Sequence, residues 1–240
     1  MKQKIFYISA FAGLVFSLNS CIFPFAGSIS GNGNVKTESR QVGEFNSIEA
    51  SNGLHVLITF GESQSLEVEA DENLHDVIKT EVSSGTLRIF SEKNIRSEKA
   101  KNIHISVKTL EEIEVSSAAD VQCENPLETD HLTVSASSAG DVRIEVKAKE
   151  INADASSSGS IELKGEAKDI DIDVSSAGTI DADRLMSKSC RVSASSAGSA
   201  SVWVTEQLEA DASSAGNIRY KGEPANKRID TSSAGSILQR

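Results

Sequence analysis

Ser116-Ser117-Ala118-Ala119-Asp120-Val121 is followed by Ser137-Ser138-Ala139-Gly140-Asp141-Val142, and the figure then returns five more times. The later copies are Ser156-Ser157-Ser158-Gly159-Ser160-Ile161, Ser175-Ser176-Ala177-Gly178-Thr179-Ile180 and Ser195-Ser196-Ala197-Gly198-Ser199-Ala200. Ser213-Ser214-Ala215-Gly216-Asn217-Ile218 and Ser232-Ser233-Ala234-Gly235-Ser236-Ile237 complete the series. Successive starts lie 21, 19, 19, 20, 18 and 19 residues apart. A period this regular marks a repeat architecture in which each unit packs on its neighbours.

Around each copy apolar and polar residues alternate. One copy reads Leu132, Val134, Ala136, corner, Val142, Ile144, Val146, with polar residues between. Alternation of period two describes half-buried strands. The Ser-Ser-Ala-Gly segment is then the corner between strands, with glycine supplying backbone freedom. A meander of hairpins and a solenoid both fit alternation, and stacking separates them. The inward residue before each corner is Val115, Ala136, Ala155, Val174, Ala194, Ala212 and Thr231. The one after it is Val121, Val142, Ile161, Ile180, Ala200, Ile218 and Ile237. Like recurs with like, as it must where each residue rests on its counterpart one coil away. The expected fold is all-β, a single right-handed parallel β-helix of about 19-residue coils. At one inter-strand spacing per coil the regular part is about 30 Å long. The Ser hydroxyls are expected to form a ladder along the corner. The opposite corner is more charged, and two-faced and three-faced coils both remain open.

The first half carries weaker echoes at Ser30-Gly31-Asn32-Gly33-Asn34-Val35, Ser51-Asn52-Gly53-Leu54 and Ser83-Ser84-Gly85-Thr86-Leu87, read as degenerate corners of longer coils. Residues 42–110 are therefore irregular N-terminal coils of the same domain as the regular repeats 111–240. Nothing in the sequence covers the last corner before Gln239-Arg240, and this uncapped coil is a place for homo-oligomer contact.

The N-terminus reads as an address. Met1-Lys2-Gln3-Lys4 precedes an apolar run from Ile5 to Phe16, the pattern of a secretory signal. Leu18-Asn19-Ser20-Cys21 resembles a bacterial lipoprotein box, which implies a signal peptide over residues 1–20 and acyl attachment at Cys21. Residues 21–41 then form a flexible tether. Acylation implies a membrane partner through the lipid anchor. Ile22-Phe23-Pro24-Phe25-Ala26 holds no acid directly after Cys21, which resembles outer-membrane sorting and leaves surface and periplasmic orientation open.

Gly31-Asn32-Gly33-Asn34-Val35, Arg40, Phe45, Ile48, Gly53, Val56, Ile58 and Gly61 resemble the opening of the autotransporter-adhesin head GIN domain family, long a domain of unknown function. The resemblance covers residue 42 to the C-terminus and implies a pectin-lyase-like parallel β-helix and cell adhesion. No polar residues converge on one site, so the expected function is a non-enzymatic, adhesin-like envelope protein whose flank contacts a protein or glycan partner. A periplasm-facing scaffold lipoprotein and a polysaccharide-active lyase are the alternatives.

Net charge is -11, with 24 basic and 35 acidic residues, which excludes nucleic acid as partner. No cofactor, resident metal or catalytic residue is expected. Asp120 and Asp141 occupy equivalent positions just after their corners and would stack about 5 Å apart, a weak cation site suited to Ca²⁺. The row continues as Ser160, Thr179, Ser199, Asn217 and Ser236, so solvated carboxylates are the simpler reading. Asp169, Asp171 and Asp173 share one outward face, where the alternation demands polar residues anyway. His55, His75, His104 and His131 show no metal-ligand spacing. A serine ladder is not a nucleophile, because an active site needs one Ser. Cys123 and Cys190 fall on inward positions several coils apart, as unpaired thiols. Trp203, between inward Val202 and Val204, points outward as a possible partner contact. Ser116, Ser137, Gly140, Gly159, Ser175, Gly178, Ser195, Gly198, Ser213, Gly216, Ser232 and Gly235 have structural corner roles.

Overall fold

The computed structural model describes residues 27–240. The leader, Cys21 and the segment Ile22–Phe25 lie outside the described residues. Nineteen strands and one short 3-10 turn make up the rest. The N-terminal part holds β1 (Ser28–Ser30), β2 (Val35–Ser39), β3 (Ser47–Ala50), β4 (His55–Phe60), β5 (Ser65–Asp71), β6 (Ile78–Ser83), β7 (Thr86–Ser91), β8 (Asn94–Ser97) and β9 (Lys101–Val107). The regular part holds β10 (Glu112–Val115), β11 (Asp120–Cys123), β12 (Leu127–Ala136), β13 (Asp141–Ala155), β14 (Ser160–Val174), β15 (Thr179–Ala194), β16 (Ser199–Ala212), β17 (Asn217–Lys221), β18 (Asn226–Thr231) and β19 (Ser236–Gln239).

From β10 onward every pairing is parallel and one coil apart. The register stacks Val142 on Ile161, Ile161 on Ile180, Ile180 on Ala200 and Ala200 on Ile218. These side chains are all buried. The chain is thus a β-solenoid, and its core is a set of aliphatic columns running along the axis. Burying each Val or Ile supplies about 1.5–3 kcal/mol relative to exposure. The alternation slips phase in β13 at Lys149-Glu150, in β14 at Lys168-Asp169 and in β15 at both Asp183-Arg184 and Lys188-Ser189, while β16 keeps its phase through three exposed residues, Thr205, Glu206 and Gln207. These outward residues turn the strand through its second, charged bend.

The corners refine the role of glycine. Both central residues are left-handed: Ser138 and Ala139 have φ of 49° and 62°, Ser176 and Ala177 have 50° and 60°. This is the backbone of a type I′ turn, closed by Gly140 N donating to Ser137 O at 2.8 Å. The corner glycines themselves are not left-handed. They are required for space, since a Cβ on Gly178 would lie 2.5 Å from Ala155 O in the preceding coil. Backbone, not hydroxyls, ties corner to corner: Ala139 N donates to Ser157 O at 3.1 Å and Ala197 N to Ser214 O at 3.1 Å. No hydroxyl ladder runs along the corners among the described residues.

The N-terminal part departs from the expected sequence of coils. β3 pairs in parallel with β7 on one side and β10 on the other, while β4 lies between β9 and β11. The β3–β4 coil is therefore second in space, and the later β7–β9 segment folds back beneath it. Ser51-Asn52-Gly53-Leu54 is a genuine corner, stacked through Gly53 N to Ser117 O at 2.9 Å. Ser83-Ser84-Gly85-Thr86 is not. It is the tip of the antiparallel β6–β7 hairpin. Residues 30–35 are also no corner, since they link β1, which pairs with β8, to β2, which runs antiparallel to β5. Residues 28–39, expected within the flexible tether, are thus strands of the domain. The buried Asp71 carboxylate secures them by accepting Gly33 N at 2.8 Å together with Lys99 N and Ala100 N at 3.1 Å.

Candidate functional site

No helix among the described residues is long and apolar enough to cross a membrane. The polar groups that carry potential chemistry lie in rows along the rod, because each outward position recurs once per coil. The row just after the corner begins His55, Asp120, Asp141, Ser160. The register does bring Asp120 and Asp141 side by side. The cation between them is the chain's own. Arg143 Nη1 donates to Asp120 Oδ2 at 2.9 Å, and Nη2 lies 2.7 Å from Asp141 Oδ1. His55 Nε2 approaches the other Asp120 oxygen at 3.1 Å. Burial pushes the Asp141 carboxyl above the ordinary range, Arg143 opposes this, and Asp120 and Glu162 reinforce it. The Arg143 guanidinium is held above its ordinary value. Burial opposes that shift, but the Asp120 hydrogen bond and the two carboxylates prevail. Arg143 was legible in principle. It sits two residues beyond Asp141, on the same outward face, beside the pair whose charge it balances.

The adjoining outward face gathers the other acids. Asp154 stacks on Asp173, and Asn152 stacks on Asp171, which stacks in turn on Arg191. Burial, then Asp173 and Asp171, raises the Asp154 carboxyl. Burial and Asp173 raise Asp171. A shallow groove of about 320 Å³ runs here, lined by Glu150, Asn152, Asp169, Asp171, Arg191 and Glu209 among others. Arg191 and Arg228 both reach Glu209, at 3.2 and 3.0 Å. No group of three or more His, Cys, Asp or Glu is arranged to hold a metal ion among the described residues.

Trp203 is half-buried on the outward side, between Met186 and Lys221 in neighbouring coils. Lys221 Nζ sits 4.5 Å from the ring centroid, a cation–π contact that covers part of one indole face. Met186 beside it is 38% exposed. The result is a small apolar strip with charged borders. Cys190 is buried and Cys123 partly exposed, both unpaired. Burial pushes each thiol up to about 12, so neither is a poised nucleophile.

Residues 44–224 match the family described as "Putative auto-transporter adhesin, head GIN domain". The chain belongs to this family. The head GIN domain architecture is shared with solved structures. A "putative adhesin" from Bacteroides fragilis is 26% identical with a TM-score of 0.82, covering 88% of this chain and 100% of that one. A "putative adhesin" from Parabacteroides distasonis is 26% identical with a TM-score of 0.68, covering 89% of this chain and 100% of that one. A third structure, a "putative lipid binding protein" from the same species, shares the fold at 22% identity and a TM-score of 0.68, covering 89% of this chain and 99% of that one. No curated protein matches the chain. As a head GIN domain it falls among adhesin-type proteins of the cell envelope.

Proposed function

We propose that the chain is a non-enzymatic, lipid-anchored envelope protein whose β-solenoid is a rigid adhesive element for a protein or glycan partner. The observation that carries this is the head GIN match over residues 44–224. The distribution of polar groups supports it. Carboxylates and bases pair in rows along the flank, as Asp120, Arg143 and Asp141 do, instead of converging on one reacting atom. Such a flank is suited to contact over an extended surface. Within it, the Met186, Trp203 and Lys221 strip supplies apolar area bordered by charge, the composition of an interface anchor. The Leu18-Asn19-Ser20-Cys21 box supports acylation at Cys21, with the first strand of the domain, β1, beginning at Ser28.

The test is protease shaving of intact cells carrying an epitope tag after Arg240, beside a periplasmic control protein. Loss of the tag with survival of the control is the expected result. Protection of the tag until the outer membrane is opened overturns surface display and leaves a periplasm-facing scaffold. A Cys21→Ala variant should leave the membrane fraction, and its retention there would sink the anchor.

A further inference from the structure

We infer that the C-terminal end of the solenoid is a docking surface for a second copy of this chain, joined tail to tail about a two-fold axis at Ile229. The two poles of the rod differ. At the N-terminal pole the first coil is closed by antiparallel strands, β6 on β7 and β5 on β9, with β2 outside β5. The strands left at that edge carry Lys36, Glu38, Lys79 and Glu81, which blunt it against further pairing. At the C-terminal pole β18 pairs only with β16 and β19 with β17 and nothing further. Among the described residues no strand covers their other edges. Of the three exposed large hydrophobics among the described residues, Ile229 at 46% and Leu238 at 54% lie on this terminal coil.

The sequence of β18 is self-complementary in one arrangement. The register puts Ile229 on the inward column of Ala210, and Arg228 and Asp230 on the outward rows of Glu209 and Asp211. Directly opposed residues of an antiparallel pair share a face of the sheet, so inward must meet inward. A two-fold centred on Ile229 satisfies this. It sets Ile229 against Ile229 of the partner subunit, Arg228 against Asp230 of the partner subunit, and Asp230 against Arg228 of the partner subunit. On the other strand of this coil the exposed Leu238 lies on the outward row, stacked on Arg219, and adds apolar surface at the same pole. Head-to-tail stacking has no such fit. The closed N-terminal pole denies it a complementary edge. The contact is therefore closed at two copies, not open to fibres.

The inference deepens the adhesive reading and rests on it only for its role. The two N-terminal ends of such a pair point away from each other. Copies held at their N-termini would then meet from facing membranes, which is homophilic adhesion.

The test is made on the purified full chain, in detergent, by sedimentation over a concentration series. The wild type should form a reversible dimer. Asp230→Arg should weaken it by roughly tenfold or more, since it sets like charges against each other twice. The same change puts a base beside Asp211, so its melting temperature should not fall. The double swap R228D/D230R should restore the dimer, and Ile229→Cys should give a disulfide-linked dimer on mild oxidation. A wild type that stays monomeric throughout, an Asp230→Arg variant that dimerises as well as wild type, or a folded double swap that stays monomeric overturns the inference. None of these outcomes depends on surface display or acylation, so the anchor and the dimer fail separately.

Discussion

Within each corner the strained backbone and the crowded site belong to different residues. Ser176 and Ala177 take the left-handed conformation, which costs an ordinary residue roughly 1–2 kcal/mol. The neighbouring Gly178 has an ordinary φ but no room for a methyl group. The strain persists because the stack over-determines it. Ala177 N donates to Ser196 O at 3.1 Å and Gly178 N closes the turn on Ser175 O at 2.8 Å. A repeat that looks like a glycine turn is therefore a serine–alanine turn with a glycine seat. Two substitutions separate these accounts. Gly178→Ala should destabilise by about 1–3 kcal/mol, because its Cβ meets the Ala155 carbonyl, which the coil holds fixed. Ala177→Gly should be close to neutral, the relief of strain offsetting the added freedom of the unfolded chain. Urea unfolding of both variants decides it. Equal losses, or a larger loss at Ala177, would return the conformational burden to glycine.

Among the elements, β11 and β13 show how a parallel register creates an electrostatic problem and how one side chain answers it. Identical rows put Asp120 on Asp141, and Arg143 spans both. Arg143→Ala should cost about 1 kcal/mol at neutral pH, a modest figure because the guanidinium is nearly half exposed. The loss should shrink on acidification. Asp141 already has its carboxyl raised by burial and by Asp120, and removing Arg143 takes away the opposing influence. A folded-state carboxyl above its unfolded value penalises the fold only where it is ionised. The deficit of the variant is thus full above the raised carboxyl value and vanishes below the ordinary aspartate range. Thermal melts of both proteins across that window test it, and a deficit that grows at low pH contradicts the account. The same scale explains what the sequence does and does not reveal. The coils from β10 on are legible because period, alternation and like-on-like columns all express one constraint, the contact of each residue with its counterpart. The cap is not legible in this way. Ser51-Asn52-Gly53 turns a coil and Ser83-Ser84-Gly85 closes a hairpin, yet both present left-handed central residues and nearly the same letters. A type I′ turn fits a hairpin as well as this corner. Which one forms depends on where the next strand finds a partner, and for β7 that partner is β3, some forty residues earlier. Val35–Ser39 hides for a related reason. Its side chains are polar on both faces, so no alternation announces a strand that is held by β5, Asp71 and Arg40.

As a whole molecule the rod has a polarity that its repeats alone would not confer. Coils touch only their neighbours, so stability accumulates from contacts along the axis, and the end with fewer partners opens first. The N-terminal pole is thickened by β2, β5, β6 and β9, and its core residues Leu54, Leu66, Leu74 and Ile78 are fully buried. At the C-terminal pole all six residues of β18 are exposed and Thr231 ends the column of small inward residues without cover. The last strand is held by its ladder, by Tyr220 Oη donating to Gln239 Oε1 at 3.1 Å and by Gln239 Nε2 donating to Gly222 O at 3.0 Å. Amide hydrogen exchange on dilute protein should therefore show a gradient. Protection should be greatest in β13 to β15, whose strands are paired on both sides over most of their length, and should persist through β4, β5 and β9. Amides of β18 and β19 should exchange first, by local opening that leaves the rest of the rod intact. Uniform protection from Ser47 to Gln239 would mean that the solenoid opens only as one cooperative unit. Fastest exchange at β5 and β9 would mean that the antiparallel cap is the weaker end. Fraying confined to β18 and β19 would place the most adaptable backbone of the molecule at the pole that carries Ile229 and Leu238, where a bound strand would order it.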